Sequence, residues 1–373
     1  MSTGTAALLR DAVALDADRW RPDRLSLTLS RAVLATLLVG FAVAHAAGVR
    51  LPPKAQYVVY LVGMVALNLP HGGYEHFDNL KSRGLAFGWR YVAVYLATIA
   101  VFVGLLFVAP VIGLALAISV AMVKGGNGGL HVLDATVGTP HLRSTFQRVL
   151  AIAVRGGAVM AVPIVFWPGT FHTFSAYMVN IFDPGALDPL ARYFSVTRPL
   201  IGAGYALAAA THVGLGFVRA RGVDDGAGAA AGEPLTAWLV DAGETALLVG
   251  YFAVVPVVVA VGLYFPFWYS VRQVARTTAV GGDDGDTAEG LFGFESPGLV
   301  ALAAWVVLIL GAVATFSLLA AVYYLVPNPL GNAPPLAGAV AFWSIFISVI
   351  ALPHVVVGSW YDRARGIWYV PTN

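Results

Sequence analysis

Residues 235–274 read LTAWLVDAGETALLVGYFAVVPVVVAVGLYFPFWYSVRQV, and the way this run crosses an apolar slab decides the fold. It is nearly continuous in its apolar character over 40 residues, and as one α-helix it would reach about 60 Å. The hydrocarbon core of a bilayer is about 30 Å thick, half that length. The run is therefore expected to fold back on itself, with the break between Gly250 and Pro256, where proline interrupts helical hydrogen bonding.

The rest of the chain has the same character. Of its 373 residues 58% are hydrophobic and only 11% charged, with a mean hydropathy of +0.77. Soluble domains carry roughly 25% charged residues, so an all-α, polytopic membrane protein is expected. A span needs about 20 mostly apolar residues. Ten stretches qualify, near 31–48, 55–71, 90–109, 111–133, 147–167, 199–219, 235–253, 256–275, 298–326 and 336–358. Nine is the alternative, if 235–275 crosses only once. They form a single membrane domain over residues 29–360, preceded by a polar segment (1–28) and followed by a tail (361–373). The first segment holds Arg10, Asp11, Asp16, Asp18, Arg19, Arg21, Asp23 and Arg24, too polar for the core of a cleavable signal, so the first span is expected to direct its own insertion.

Basic residues set the orientation. With the N-terminus in the cytoplasm, the inner loops collect Lys81, Arg83, Arg90, Arg143, Arg148, Arg155, Arg219, Arg221, Arg272 and Arg276, and the tail adds Arg363 and Arg365. A net charge of +2 spread along the chain points away from nucleic acid. With no cysteine, disulfides, thiolate catalysis and sulfur ligation are excluded, and a metal would need imidazole, carboxylate, carbonyl or phenol ligands. Residues 222–233 and 281–296, rich in Gly and Asp, read as flexible acidic loops. No repeat of fixed period is present.

The candidate chemistry lies in the histidines. Leu69-Pro70-His71-Gly72-Gly73-Tyr74-Glu75-His76 closes the second span, placing two imidazoles and a carboxylate where a membrane helix meets water. Ionisable groups at such depth are paired or bind something. His131 closes the fourth span with Asp134 one turn beyond, His354 nears the end of the tenth, and His212 lies two thirds along the sixth. Alternate spans run the same way, so these four imidazoles fall at a common depth, with Glu244 inside the seventh span. His45 and His172 fall at the opposite side, and His141 in a loop. Each histidine alone reads as a packing residue. Together with carboxylates they suit iron, zinc or copper, the carboxylates orienting the rings from behind. His71 and His76, five apart, do not form the His-Glu-x-x-His zinc motif. The eighth span ends in Tyr264, Phe265, Phe267, Trp268 and Tyr269, either an interfacial aromatic belt or the wall for a flat, conjugated lipid, with Tyr269 and Gln273 on one face.

These segments, in this order, resemble the Brp/Blh family, integral membrane proteins of rhodopsin-bearing archaea and bacteria that cleave β-carotene centrally to two retinals. The Pro70-His71-Gly72 segment is similar to the family's Pro-His-Gly-x-x-Asp signature, with Glu75 in place of the Asp. Gly128 to Asp134, Arg155 to Pro163, Glu244 to Tyr269 and Ala351 to Val355 are similar to four further family segments. The resemblance implies a non-haem Fe(2+) held by four histidines. His71 and His131 match two of them. The other two, in a His-Ser-x-Arg-His segment, correspond here to Tyr269 and Gln273, with Ser270 and Arg272 intact between them. His212, His354, Tyr269, Gln273 or His76 would then complete the metal shell, Glu75, Asp134, Glu244 and Arg272 would support it, and Tyr264, Phe265 and Trp268 would line the substrate channel. Three readings follow: a carotene dioxygenase in the cell membrane making retinal for a microbial rhodopsin, a catalytically silent relative that binds carotenoid or retinal, and an ion or proton transporter. Against the last, the paired inverted repeats of transporters are missing.

Overall fold

The computed structural model describes residues 22–67, 89–222, 233–272, 313 and 315–362, and every regular element among them is helical. In chain order these are α1 (Pro22–Ala46), α2 (Pro53–Leu61, running on as a π-helical stretch Val62–Leu67), α3 (Trp89–Val108), α4 (Pro110–Thr136), α5 (Thr145–Phe166), α6 (Pro168–Asn180), α7 (Asp188–Ala191), α8 (Phe194–Arg221), α9 (Glu233–Val254), α10 (Val257–Tyr264, running on as a second π-helical stretch Phe265–Ser270), α11 (Thr315–Leu325) and α12 (Pro335–Asp362). Six of them, α1, α4, α5, α8, α9 and α12, are long and apolar enough to cross a membrane, and large aliphatic side chains such as Val101, Val108, Leu200 and Leu207 lie open on the outside of the bundle. In a bilayer such side chains meet lipid, and helices satisfy their backbone internally.

The long apolar run folds back as expected. Helix α9 ends at Val254, and after Val255-Pro256 the chain returns as α10. The reversal is visible in the pairing. Tyr251 donates its hydroxyl to the Ala260 carbonyl (3.0 Å), the rings of Phe252 and Tyr264 lie 5.4 Å apart, and Glu244 meets Arg272. Proline 256 supplies the break because it has no N–H to continue the helix.

Local sequence sets most other boundaries. Prolines occupy the first turn of α2, α4, α6 and α7, where a missing N–H does no harm. Ser144 caps α5, accepting from the Gln147 amide at 3.2 Å, while the Gln147 side chain accepts from the Arg143 amide and donates to the His141 carbonyl. This capping box pins the short α4–α5 loop, in which Gly138 adopts φ 80° to turn the chain.

Two glycine crossings bring backbones together. A methyl on Gly156 would lie 1.9 Å from the Met122 carbonyl oxygen and one on Gly126 2.1 Å from that of Ile152, so α4 and α5 touch along their backbones. At the second crossing, a methyl on Gly63 would lie 2.2 Å from the Gly262 carbonyl oxygen, which locks α2 against α10. Small residues at such contacts let membrane helices gain van der Waals packing where no hydrophobic force drives association.

Some expectations change. Helix α1 starts at Pro22, so the end of the polar segment expected over 1–28 is helical and partly buried, with Ser26 7% and Leu27 8% exposed. Helix α6, 13 residues long, had no counterpart among the expected spans because it is shorter than the membrane. Helix α8 begins at Phe194 and carries Pro199 inside it instead of starting there. Arg155 and Arg272 are not loop charges. Both are drawn into buried ion pairs, which removes them from the orientation argument, and the half-buried Arg31 joins the Glu244 pair.

Candidate functional site

A cavity of about 250 Å3 opens between α2, α4, α5, α6, α10 and α12. Its walls are almost wholly apolar: Met64 from α2, Leu114, Ala117 and Ala121 from α4, and Val258 and Val261 from α10. Three hydroxyls on the wall are turned to other partners. Ser348 donates to the Ser344 carbonyl and Ser344 to that of Val340, each at 2.8 Å, while Tyr60 meets the Ser344 hydroxyl at 2.6 Å across α2 and α12. Lys124 is the charged side chain among the described lining residues, its Nζ 5.5 Å from the ring centre of Tyr269.

The second π-helical stretch shapes this wall. Phe265, Tyr269 and Ser270 line the cavity. Tyr264 and Trp268, expected beside them, are not lining residues. They are buried within the bundle, Tyr264 against Phe252 and Trp268 beneath the Arg272 guanidinium at 4.3 Å. Wider π-helical turns shift the register, so the aromatic run splits between two faces.

Helix α4 carries Ala117, Ala121 and Lys124 on its cavity face. His131 continues that stripe two turns on, about 10 Å along the axis from Lys124. It is buried (8% exposed), with Nδ1 3.8 Å from Asp134 Oδ2. Asp134 is in turn held by Arg148 and by the Thr139 hydroxyl. A carboxylate behind an imidazole is the arrangement that orients a metal-binding histidine. With Nδ1 facing Asp134, Nε2 is the nitrogen that would coordinate.

His212 and Glu244 belong to a different cluster. His212 Nε2 lies 3.2 Å and His141 Nε2 2.9 Å from the same Asp241 oxygen. Arg155 donates to the other Asp241 oxygen at 2.6 and 3.2 Å and to Glu244 at 3.0 Å. Arg272 grips both Glu244 oxygens (2.7 and 2.8 Å), and Arg31 donates to one of them at 2.7 and 2.9 Å. His141, in the α4–α5 loop as expected, is fully buried because the capping box folds that loop inward onto Asp241. Asp241 and Lys124 escaped the sequence reading. The available signal was a lone charge inside an apolar span, which in membranes is a site hypothesis by default.

Of the other candidates, His71, Glu75, His76 and Gln273 lie outside the described residues, and His354 is placed only as a backbone position on α12. Among the described residues no three histidine or carboxylate side chains gather in a metal-holding group. His131 fits iron in kind, a buried imidazole beside Asp134 on the cavity stripe, and the Tyr269 phenol lies on the cavity wall.

Fold and site together define an all-helical membrane protein that encloses a chamber for an apolar molecule, with a separate charge cluster beside it whose buried carboxylates are all paired. Comparison with known proteins agrees. A family model described as beta-carotene 15,15'-dioxygenase matches residues 62–362. The chain is 52% identical over 353 residues, 93% of its own length and 95% of the relative's, to the probable beta-carotene 15,15'-dioxygenase Brp of Halobacterium salinarum strain R1. It is 31% identical over 360 residues, 91% of its length and 95% of the relative's, to the probable beta-carotene 15,15'-dioxygenase Blh of Halobacterium salinarum strain NRC-1. No solved structure matches it. The chain belongs to the beta-carotene 15,15'-dioxygenase family, the Brp/Blh group that its motifs resemble.

Proposed function

We propose that this protein cleaves β-carotene at its central double bond with O2. One O2 gives both oxygens: the central C=C is lost as two C=O form, so one hydrocarbon yields two retinals with no further reductant. The observation that carries this reading is the chamber itself, apolar along its walls and bordered by α4, α5 and α12, three of the helices long and apolar enough to cross a membrane. A hydrocarbon has no polar handle, so shape and the exclusion of water must hold it.

His131, with His71, is assigned to hold Fe(2+), which when bound supplies the activation of O2. Asp134, gripped by Arg148, stands 3.8 Å behind the His131 ring. Phe265 and Val261 press on the polyene from α10. Ten spans in the cell membrane, an N-terminus in the cytoplasm and delivery of retinal to a microbial rhodopsin complete the reading. A second reading, binding without cleavage, is favoured by Tyr269, a phenol on the cavity wall at a position the family fills with histidine. The transporter reading loses support because both buried carboxylates are committed to arginine.

Expression in a β-carotene-producing bacterium separates the two. Cleavage bleaches the cells and accumulates retinal, and His131→Ala abolishes both. Purified anaerobically from iron-replete cells, the wild type carries iron and His131→Ala loses it. Unchanged colour with bound carotenoid leaves the second reading standing in place of the first.

A further inference from the structure

Six polar side chains on the chamber wall are engaged: Tyr60, Ser344 and Ser348 through the bonds given above, and Lys124, Tyr269 and Ser270 with partners of their own. Two are not. Thr170 and Ser175, both on α6, line the chamber and have no hydrogen-bond partner among the described residues. A serine in an apolar helix can return its proton to the carbonyl one turn back, as Ser119, Ser344 and Ser348 do at 2.8 Å. Ser175 makes no such bond, although the residue is only 7% exposed. Its oxygen is not sealed within the protein either, so the hydroxyl opens into the chamber. A hydroxyl held in an apolar wall without a partner carries a desolvation cost that a hydrogen-bonding ligand removes, and β-carotene has no atom to offer it.

The place of α6 says which part of a polyene meets these hydroxyls. Val179, one turn on from Ser175, packs in one cluster with Leu114 and Ala117 of α4 and Phe342 of α12, which sets α6 beside the first turns of both helices. His131 lies toward the other end of α4, 14 residues and about 21 Å beyond Ala117. A carotenoid with its central bond near His131 therefore carries a terminal ring toward α6. We infer that Ser175, with Thr170 on the same helix, forms a polar subsite for an oxygen on that ring, so that the chamber takes a ring-hydroxylated carotenoid in preference to the plain hydrocarbon. A serine hydroxyl both donates and accepts, and so meets a ring hydroxyl in either role. The inference rests on the carotenoid reading of the chamber, and it concerns which polyene enters, not how it is cut.

The test uses the full chain in detergent, kept free of O2 so that nothing is cleaved. It is offered an equimolar mixture of β-carotene and β-cryptoxanthin, which differ by one ring hydroxyl, and the bound pigments are extracted and measured by chromatography. Comparing wild type with Ser175→Ala cancels the partition of the pigments into detergent. The wild-type ratio of bound β-cryptoxanthin to β-carotene is expected to exceed that of Ser175→Ala about fivefold, the factor one neutral hydrogen bond gives. Ser175→Thr, which keeps the hydroxyl, should retain most of the difference, and Thr170→Val should lower the ratio by less than Ser175→Ala does. Equal ratios in wild type and Ser175→Ala overturn the inference; ordered water meeting the two hydroxyls would give that result. If Ser175→Ala takes up neither pigment, Thr170→Val decides by the same ratio: a lowered one supports the inference and an unchanged one overturns it. Wild type that takes up neither pigment overturns the inference together with the carotenoid reading, whereas uptake of both at the ratio of Ser175→Ala overturns the inference alone.

Discussion

Two regions share the membrane interior and treat polarity in opposite ways. The charge cluster draws Arg31, Arg155, Asp241, Glu244 and Arg272 together with His141 and His212, and every carboxylate oxygen in it has at least one donor within 3.2 Å. The chamber a few turns away is lined by Leu, Val, Ala and Phe and has one charged group on its described wall. The carboxylates of the first region are saturated, and the second region is nearly bare. A saturated cluster holds helices in place, because removing any partner leaves a buried charge uncompensated. A bare chamber leaves the helices alone and decides only what enters. Stability should therefore live in the cluster and ligand affinity in the chamber.

The strongest test of that division is Glu244→Gln. Glu244 compensates Arg272, which is 2% exposed, and shares Arg155 and Arg31. Its loss is expected to lower stability by about 3–5 kcal/mol, read as a large drop in the thermal midpoint in detergent. It should also reach the chamber, because Arg272 anchors the end of the π-helical stretch whose other face carries Phe265 and Tyr269. A variant that melts early yet binds retinal as wild type does would show that the two regions are uncoupled. A variant that melts normally would sink the idea that the cluster is what secures the bundle.

The regions also differ in how far they could be read from the chain. The reversal at Val255-Pro256 was legible because length alone forbids one helix of 40 residues and proline marks the break. The partners in the cluster were not, since Arg155 and Asp241 lie 86 residues apart and Arg31 and Glu244 213 apart. Spacing along one helix cannot signal such pairs, so Arg155 and Arg272 read as loop charges. The aromatic run Tyr264–Tyr269 was legible as a wall, but an α-helical period gives the wrong faces once the backbone widens into a π-helical stretch. Helix α6 escaped because a window as long as the bilayer is thick passes over 13 residues. His131 and Asp134 needed only local spacing: three residues apart on one helix, they lie side by side.

An intermediate effect is expected in the chamber. Ala121 lines it from α4, and Ala121→Phe fills part of about 250 Å3. Carotene or retinal affinity should fall at least about tenfold, the order that one misfitted group in an apolar pocket produces, with the thermal midpoint of the empty protein close to wild type. Combined with Glu244→Gln, the stability effect should stay that of Glu244→Gln alone, since distant sites add.

The smallest effect belongs to Ser344→Ala, and it probes the seam where chamber and scaffold meet. Ser344 donates to the Val340 carbonyl of its own helix, so the 2.6 Å contact with Tyr60 is a donation from the phenol to the serine oxygen. Removing that oxygen leaves the buried Tyr60 hydroxyl, on a side chain 3% exposed, without this acceptor. Hydrogen bonds between membrane helices are worth about 0.6 kcal/mol on average, so the midpoint should move by a degree or two. The methyl that remains keeps the wall apolar, and polyene affinity should not change. A loss of affinity instead would place the Tyr60 hydroxyl in contact with the ligand, and the chamber would then have a polar contact beyond Ser175 and Thr170.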